Sequence, residues 1–284
     1  MIRLVTDSGS QLTPELRERY AVEVVPLSVT VDDVSLLENV EIDAEGIAAA
    51  LRRDAAVRSA TPPPGRFLAA YARAEAGGAT QVLSVHSGGA ASGTANSARV
   101  AAGSAPLPVL VVDTGTASFP VALCVWAAGE VLAAGGTVED AAGAAGAVAA
   151  EVDNVFVVGT PALARRGGRL APAEGAPGVP VLALHEGAMR AVGSVSDVGA
   201  AVAAMTDYVV AAAGGRRLRV GVGDLGAGDL ADELEAALRE RVEVERLVRY
   251  VVGPSVAVHT GLGTVGCVFH PVSPISPAGG PRPR

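Results

Sequence analysis

The chain has 284 residues, which is enough for one large or two modest domains with a sizeable core. Although 50% of the residues are hydrophobic, no uninterrupted apolar run approaches the ~20 residues of a membrane-spanning helix. A net charge of −8 and an aromatic content of 3% argue against nucleic-acid binding, which requires a basic surface and stacking rings. The first residues form a strand pattern without the apolar core of a signal peptide, so we expect a cytoplasmic protein without an integral membrane segment.

Strand and helix patterns alternate along the chain. Short runs rich in valine and leucine predict strands, whereas longer alanine-rich segments predict helices. This alternation is typical of parallel strands wound in βα units, in which ligands bind beyond the carboxyl ends of the strands. The predicted strands are 2–6, 22–31, 82–85, 108–112, 155–158, 179–184, 190–195, 218–222 and 243–251, and the predicted helices are 13–20, 43–53, 66–76, 95–102, 121–134, 138–151, 162–165, 198–213 and 229–241. The last ordered element is expected over 255–258 and 267–269, with no type assigned.

The loop over residues 59–65 is the first segment that is too rigid for regular structure. It contains Thr61 followed by three prolines, and each proline fixes φ and removes a hydrogen-bond donor. We therefore predict a positioned loop that leads into the helix over 66–76.

Residues 82–99 form the most informative stretch, with a buried strand, a glycine-containing turn and a small-residue helix. Ser92 stands where this helix begins. The first amide groups of a helix have no intrahelical partner, and the helix dipole adds partial positive charge, so a carboxylate or phosphate can bind there. We interpret this loop as an anion-binding site.

Two other interpretations of the same loop are open. In the first, Ser92 or Thr94 simply caps the helix, and a capping role can coexist with ligand binding. Gly88 and Gly93 also have the G-x-x-x-x-G spacing of a nucleotide-binding loop, but Thr94 occupies the position of the required lysine. The chain contains no lysine at all, which argues against a nucleotide loop.

Other chemically interesting residues have simpler interpretations. Arg165, Arg166 and Arg169 concentrate positive charge beside two glycines, as in a solvated turn. Cys124 and Cys267 lie in apolar segments without ligand spacing, so we predict buried reduced thiols. The histidines form no credible metal cluster, and we predict neither a metal nor another cofactor. Richness in proline, serine and glycine predicts a disordered tail over 273–284.

Five short motifs, taken together and in order, resemble those of the DegV family of bacterial lipid-binding proteins. Each motif is weak alone, but their order along nearly the whole chain is specific. They are Asp7-Ser8, Val24-Val25-Pro26-Leu27, Ser92-Gly93-Thr94 with Ser97-Ala98, Gly167-Gly168-Arg169-Leu170, and His259-Thr260-Gly261 followed by Gly263.

The resemblance implies a two-domain α/β fold with a lipid tunnel between the domains. We expect an N-terminal domain over 1–160 with a largely parallel sheet, and an α/β C-terminal domain over 161–272. The implied function is binding of one long-chain fatty acid rather than catalysis. Some members resemble the acyl-carrying subunit of a fatty acid kinase, which presents the carboxylate to a catalytic partner.

The same resemblance implies roles for particular residues. Ser92, with Gly93 and Thr94, would hold the carboxylate of the fatty acid. Thr61 would assist from its loop, and His259 would lie close to the head group. Arg166 and Arg169 would belong to a rim that meets a phosphate or a partner protein.

Two enzymatic alternatives also follow from the residues. Asp7 and Asp113 each begin a D-[ST]-G triplet, as in aspartic proteases, but strand-end turns with aspartates bound to nearby amides explain them better. Ser92 could instead act as a nucleophile with His259 as base, in a serine-dependent acyl hydrolase. No G-x-S-x-G motif surrounds Ser92, and an esterase assay distinguishes an enzyme from a binding protein.

Overall fold

A computed structural model describes residues 1–89, 91–166, 178–185 and 187–272, with only the backbone for residues 164–166. The strands are β1 (Ile2–Asp7), β2 (Glu23–Val25), β3 (Ser28–Val31), β4 (Val34–Leu37), β5 (Val57–Ala60), β6 (Gln81–His86), β7 (Val109–Asp113), β8 (Asp153–Val157), β9 (Val179–His185), β10 (Ala188–Val195), β11 (Leu218–Leu225), β12 (Val244–Val251) and β13 (Thr264–Pro271). The helices are α1 (Pro14–Arg19), α2 (Ala44–Arg52), α3 (Pro64–Ala76), α4 (Thr94–Ala102), α5 (Phe119–Ala133), α6 (Val138–Glu151), α7 (Pro161–Arg166), α8 (Gly199–Ala213), α9 (Gly228–Arg241) and α10 (Pro254–Thr260).

The first sheet confirms the predicted parallel βα arrangement. Its four strands have the order β2-β1-β6-β7, and every pair is parallel. Successive residues of β1 point to opposite faces, so Leu4 packs against α5 and α6 whereas Val5 packs against α3 and α4. The sheet is therefore covered on both faces, and its carboxyl edge carries the loops that were predicted to bind a ligand.

The second sheet is mixed and has six strands in the order β10-β9-β8-β13-β11-β12. One face packs on α8 and α9, with Val220, Val222 and Cys267 in the core. The opposite face turns toward the first half of the chain, since Val248 and Val268 belong to the core around α5. β8, which lies within the predicted N-terminal domain of residues 1–160, pairs with β13 in this sheet.

A third sheet was not predicted as such. It contains the antiparallel strands β4-β3-β5, in which Ser28 pairs with Leu37 on one side and with Ala60 on the other. The prediction that residues 59–65 are irregular is therefore wrong for Ser59 and Ala60, which end β5. The three prolines that dominate this stretch begin only after the strand, so they do not interrupt its pairing.

Several other predictions concern membrane spans, thiols and the tail. None of the helices described is both long and apolar enough to cross a membrane. Cys124 and Cys267 are buried free thiols, as predicted. The predicted tail over 273–284 and the motif at 167–170 lie outside the described residues.

Candidate functional site

A cavity of about 380 Å³ lies between the two halves of the chain. This volume falls in the range of about 300–1,000 Å³ that is usual for small-molecule sites. Polar residues from the loops of the first half and from α10 line one part of the cavity, and the inner face of the six-stranded sheet lines another. The lining includes Ser59, Thr61, Ser87, Ser92, Gly93, Phe156, Leu184, Met189, Gly223, Tyr250, Ser255, His259, Gly266 and Val268.

The loop between β6 and α4 brings Ser92 to the cavity wall. Ser92 Oγ accepts a hydrogen bond from the Thr94 amide at 3.2 Å and lies 2.7 Å from Thr94 Oγ1. When the Thr94 hydroxyl is the donor of the second bond, the Ser92 proton is available to the cavity. Thr94 itself is buried and is absent from the lining, so it supports Ser92 from behind.

The expected free amides at the start of α4 are largely used within the protein. The Thr94 amide donates to Ser92 Oγ, and the Ala95 amide donates to the Ser87 carbonyl at 3.1 Å. The N-cap residue is Gly93, which has no side chain to cap the helix. The expectation that these amides would bind the anion is therefore wrong for two of them, and the Ser92 hydroxyl is the better donor.

His259 reaches the same cavity from α10 in the second half of the chain. Its Nε2 atom lies 3.1 Å from Ser59 Oγ on β5. Thr61 follows β5 and is exposed, and its methyl group would lie 3.7 Å from a Cβ at Gly93. The polar side chains from three separate segments thus converge at an end of the cavity that opens toward solvent.

Beneath this end, a buried network fixes the β6 loop. Asp7 Oδ2 accepts hydrogen bonds from the Ser87 amide at 3.1 Å and lies 3.0 Å from His86 Nδ1. Ser87 Oγ donates to Asp7 Oδ1 at 3.1 Å, so the proton of this cavity-lining hydroxyl is already committed. His86 Nε2 continues the network to Ser84 Oγ at 2.6 Å. The network therefore leaves Ser87 Oγ as an acceptor only on the side of the cavity.

A second buried carboxylate attaches α10 to the first half of the chain. Glu38 is fully buried; its Oε1 atom accepts the Ser255 amide at 2.8 Å and its Oε2 atom accepts the Ser8 hydroxyl at 2.5 Å. Gln11 Oε1 accepts the Gly253 amide at 2.6 Å. Burial, and to a lesser degree the charge of Asp7, raise the pKa of Glu38, although its hydrogen bonds act in the opposite direction. These contacts position the helix that carries His259.

The structure brings together most of the predicted site residues. Ser92, Gly93, Thr61 and His259 all line the cavity. The side chain of Arg166 and the whole of Arg169 lie outside the described residues.

Sequence reasoning did not select Ser59 or Ser87, although each belongs to a stretch that was singled out. It also missed the sheet face that includes Phe156 and Tyr250, since alternation along a strand does not reveal what covers its second face.

The two D-[ST]-G triplets do not form a carboxylate pair. Asp7 and Asp113 end strands on opposite sides of β6, so their backbones are separated by about 9–10 Å. Asp113 accepts the Gly115 amide at 3.0 Å, as expected for a strand-end turn. Asp7 also accepts a backbone amide, that of Ser87, but Ser87 is distant in sequence, so the expected local turn is wrong for Asp7.

The fold and the cavity define a class of protein. It is an α/β protein in which a parallel sheet and a mixed sheet enclose a small-molecule cavity with a polar end and an apolar wall. The profile of the DegV family, which is described as an uncharacterised protein family, matches residues 1–272. The chain belongs to the DegV family.

Relatives and solved structures agree with this assignment. A DegV domain-containing protein of Streptomyces coelicolor is 36% identical, with 94% of this chain and 97% of the relative covered. A DegV family protein of Thermus thermophilus, described as binding fatty acid, is 33% identical with a TM-score of 0.88, and the match covers 95% of this chain and 99% of that one. DegV of Bacillus subtilis, described as a fatty acid binding protein, has the same fold, with a TM-score of 0.83 at 22% identity over 95% of this chain and 99% of its own length.

Proposed function

We propose that this protein binds one long-chain fatty acid in the cavity between its two sheets. The observation that carries the proposal is the division of the cavity into a polar end at Ser92 and His259 and an apolar wall on the six-stranded sheet. The Thermus thermophilus relative, described as binding fatty acid, supports the same ligand class. We place this function in the cytoplasm.

The carboxylate is proposed to bind at the polar end. Ser92 supplies a hydroxyl donor held by Thr94, and His259 and Thr61 lie at the same end. A hydrogen bond to a charged group contributes about 1.5–3 kcal/mol, so two or three such bonds orient the head group. Ser87 donates its hydroxyl proton to Asp7, so it can accept a hydrogen bond in the cavity but cannot donate one to a carboxylate.

The acyl tail is proposed to supply most of the affinity. Each buried methylene contributes roughly 0.8 kcal/mol, so a chain of about 16 carbons offers on the order of 10 kcal/mol before the cost of association. The apolar wall includes Phe156, Leu184 and Val268. Asn154 also lines it, but its amide group binds both backbone polar groups of Leu184 and so presents no unsatisfied group to a tail.

The proposal includes presentation of the carboxylate to the catalytic subunit of a fatty acid kinase. Its support is the exposure of Thr61 and Gly93, which places the polar end of the cavity near the surface. Arg166 and Arg169 are proposed to contact the phosphate or the partner. Co-purification with a kinase subunit that phosphorylates the bound acid tests this part separately from lipid binding.

Hydrolysis is a second candidate because Ser59 Oγ and His259 Nε2 are within the reach of a nucleophile and its base. The test compares calorimetric titration with a saturated fatty acid, its primary alcohol and its nitrophenyl ester. We expect tight binding of the acid, weaker binding of the alcohol and no ester turnover. Turnover of the ester that is lost in both Ser59→Ala and His259→Ala would favour the hydrolase, and equal affinity for acid and alcohol would contradict carboxylate recognition.

A further inference from the structure

One row of residues crosses four adjacent strands on the face of the six-stranded sheet that lines the cavity. Phe156 on β8 pairs with Gly266 on β13, Gly266 pairs with Gly223 on β11, and Gly223 pairs with Tyr250 on β12. Residues directly opposite each other in neighbouring strands share a face of the sheet. All four residues line the cavity, so the row is two aromatic rings separated by two glycines.

Each glycine is required by an atom group beside it, the Tyr250 ring at Gly223 and the backbone and Cβ of β8 at Gly266. A Cβ atom on Gly223 would overlap the outer edge of the Tyr250 ring, and a Cβ atom on Gly266 would overlap Phe156 and the β8 backbone. Neither glycine has a positive φ, so steric room rather than backbone conformation explains them. Only glycine at position 223 leaves room for the Tyr250 ring to pack against the sheet.

The Tyr250 ring is also held from one side. It stacks on Phe119 with ring centroids 4.3 Å apart and an interplanar angle of 8°, and Phe119 lies against Gly221 in the same way. A Cβ at position 223 would meet the outer edge of the ring, so the ring would have to move off the sheet, on the face that lines the cavity. The position of this ring thus determines how much of the cavity is open.

We propose that Gly223 and Tyr250 together determine the length of the acyl chain that the cavity accepts. The inference rests on the proposed function and adds the residues that select among fatty acids. Gly223 lets the ring lie flat, and the flat ring leaves room for the distal methylenes of the tail. Neither residue contacts the carboxylate in this proposal, so changes here alter the dependence of affinity on chain length rather than binding of the head group.

The test is a length series of linear saturated fatty acids, from about 8 to about 20 carbons, titrated by calorimetry. In Gly223→Ala the displaced ring should exclude roughly two methylenes, which lowers affinity for the longest acids by about tenfold or more and leaves the short acids within about threefold. Tyr250→Leu should shift the optimum toward longer acids. The double variant Gly223→Ala/Tyr250→Leu should have a dependence on chain length closer to that of the wild type, because the leucine side chain can change rotamer to make room for the added methyl group.

The matched control is Gly193→Ala on strand β10. Its added Cβ has ordinary contact with Val181 at 3.9 Å, and the residue is absent from the cavity lining. The control should keep the wild-type length profile, with thermal melting to confirm folding of each variant. An equal loss across all lengths in Gly223→Ala, or an unchanged optimum in Tyr250→Leu, would overturn the inference. A wild type that binds no acid of any length would overturn the proposed function itself.

Discussion

His259 Nε2 lies 3.1 Å from Ser59 Oγ, across a separation of 200 residues in the chain. Ser59 ends a strand of the small antiparallel sheet, whereas His259 belongs to α10, which follows the six-stranded sheet. Both residues line the cavity. The contact therefore joins the two halves of the protein at the end where the head group is proposed to bind.

Ser59→Ala should weaken fatty-acid binding, whereas Ser59→Thr should preserve it. Alanine removes the hydroxyl that pairs with His259, but threonine keeps it and suits a β-strand. The loss of one hydrogen bond near a charged head group predicts a decrease in affinity of about tenfold or more. Titration of both variants with one fatty acid measures this, and equal weakening in both would show that packing rather than the hydroxyl matters.

Ser92→Ala should reduce affinity by about 10-fold to 100-fold, because it removes a charge-assisted hydrogen bond to the carboxylate. The free energy of unfolding should fall by less than about 1.5 kcal/mol, since only the contacts with Thr94 are lost. Ser104→Ala, at an exposed serine after α4, is the matched control. Wild-type affinity in the Ser92 variant would remove this residue from the site.

Glu38→Gln should change how stability depends on pH. Burial raises the pKa of Glu38 above its ordinary 4.5, so the folded state holds this proton to a higher pH than the unfolded state. The contribution of Glu38 to the free energy of unfolding is present in full below about pH 4.5 and is lost as the pH rises through the folded-state pKa. Relative to the wild type, the variant should therefore gain stability as the pH is raised from about 4 to about 8.

Denaturant unfolding at several pH values measures the Glu38 effect. Glu18→Gln, which changes an exposed carboxylate of α1, is the control and should leave the profile parallel to that of the wild type. If the pH profile of Glu38→Gln is also parallel to that of the wild type, the pKa of Glu38 is not raised in the folded protein, which contradicts the prediction.

The two cysteines should resist alkylation in the native protein. Burial raises the pKa of Cys124 to about 12 and raises that of Cys267 as well, and only the thiolate reacts readily. We expect neither thiol to be modified by iodoacetamide near pH 8 over a period that fully modifies both in denaturant. Intact-mass measurement counts the modified groups, and rapid native labelling of Cys267 would contradict the buried position that we describe.

The sequence predicted the parallel sheet and the position of Ser92 because both depend on local patterns. Strand β6, the turn and α4 are contiguous, so the site loop could be recognised from residues 82–99 alone. The antiparallel sheet was not predicted, because β4 is a short, partly exposed edge strand and β5 ends one residue before three prolines. Neither strand has a clear periodic pattern, and their pairing with β3 is a tertiary property.

The hydrogen-bond and strand-pairing partners within the site could not be predicted from local sequence patterns, for the same reason. Asp7 was expected to bind nearby amides, but it binds His86 and Ser87, which β6 brings beside it. Pairing of Gly223 with Tyr250 depends on the register of β11 and β12 and cannot be read from either segment. The residues that we propose to bind the carboxylate could be selected from their types, whereas those that line the apolar wall could be identified only from the sheet.

Native mass spectrometry of the protein as purified from cells, followed by denaturing extraction of whatever it releases, tests the central claim most directly. We predict close to one fatty acid per chain, and a marked loss of that ligand in Ser92→Ala but not in Ser104→Ala. A protein that is empty, and that also fails to take up added fatty acids of any length, would contradict the account.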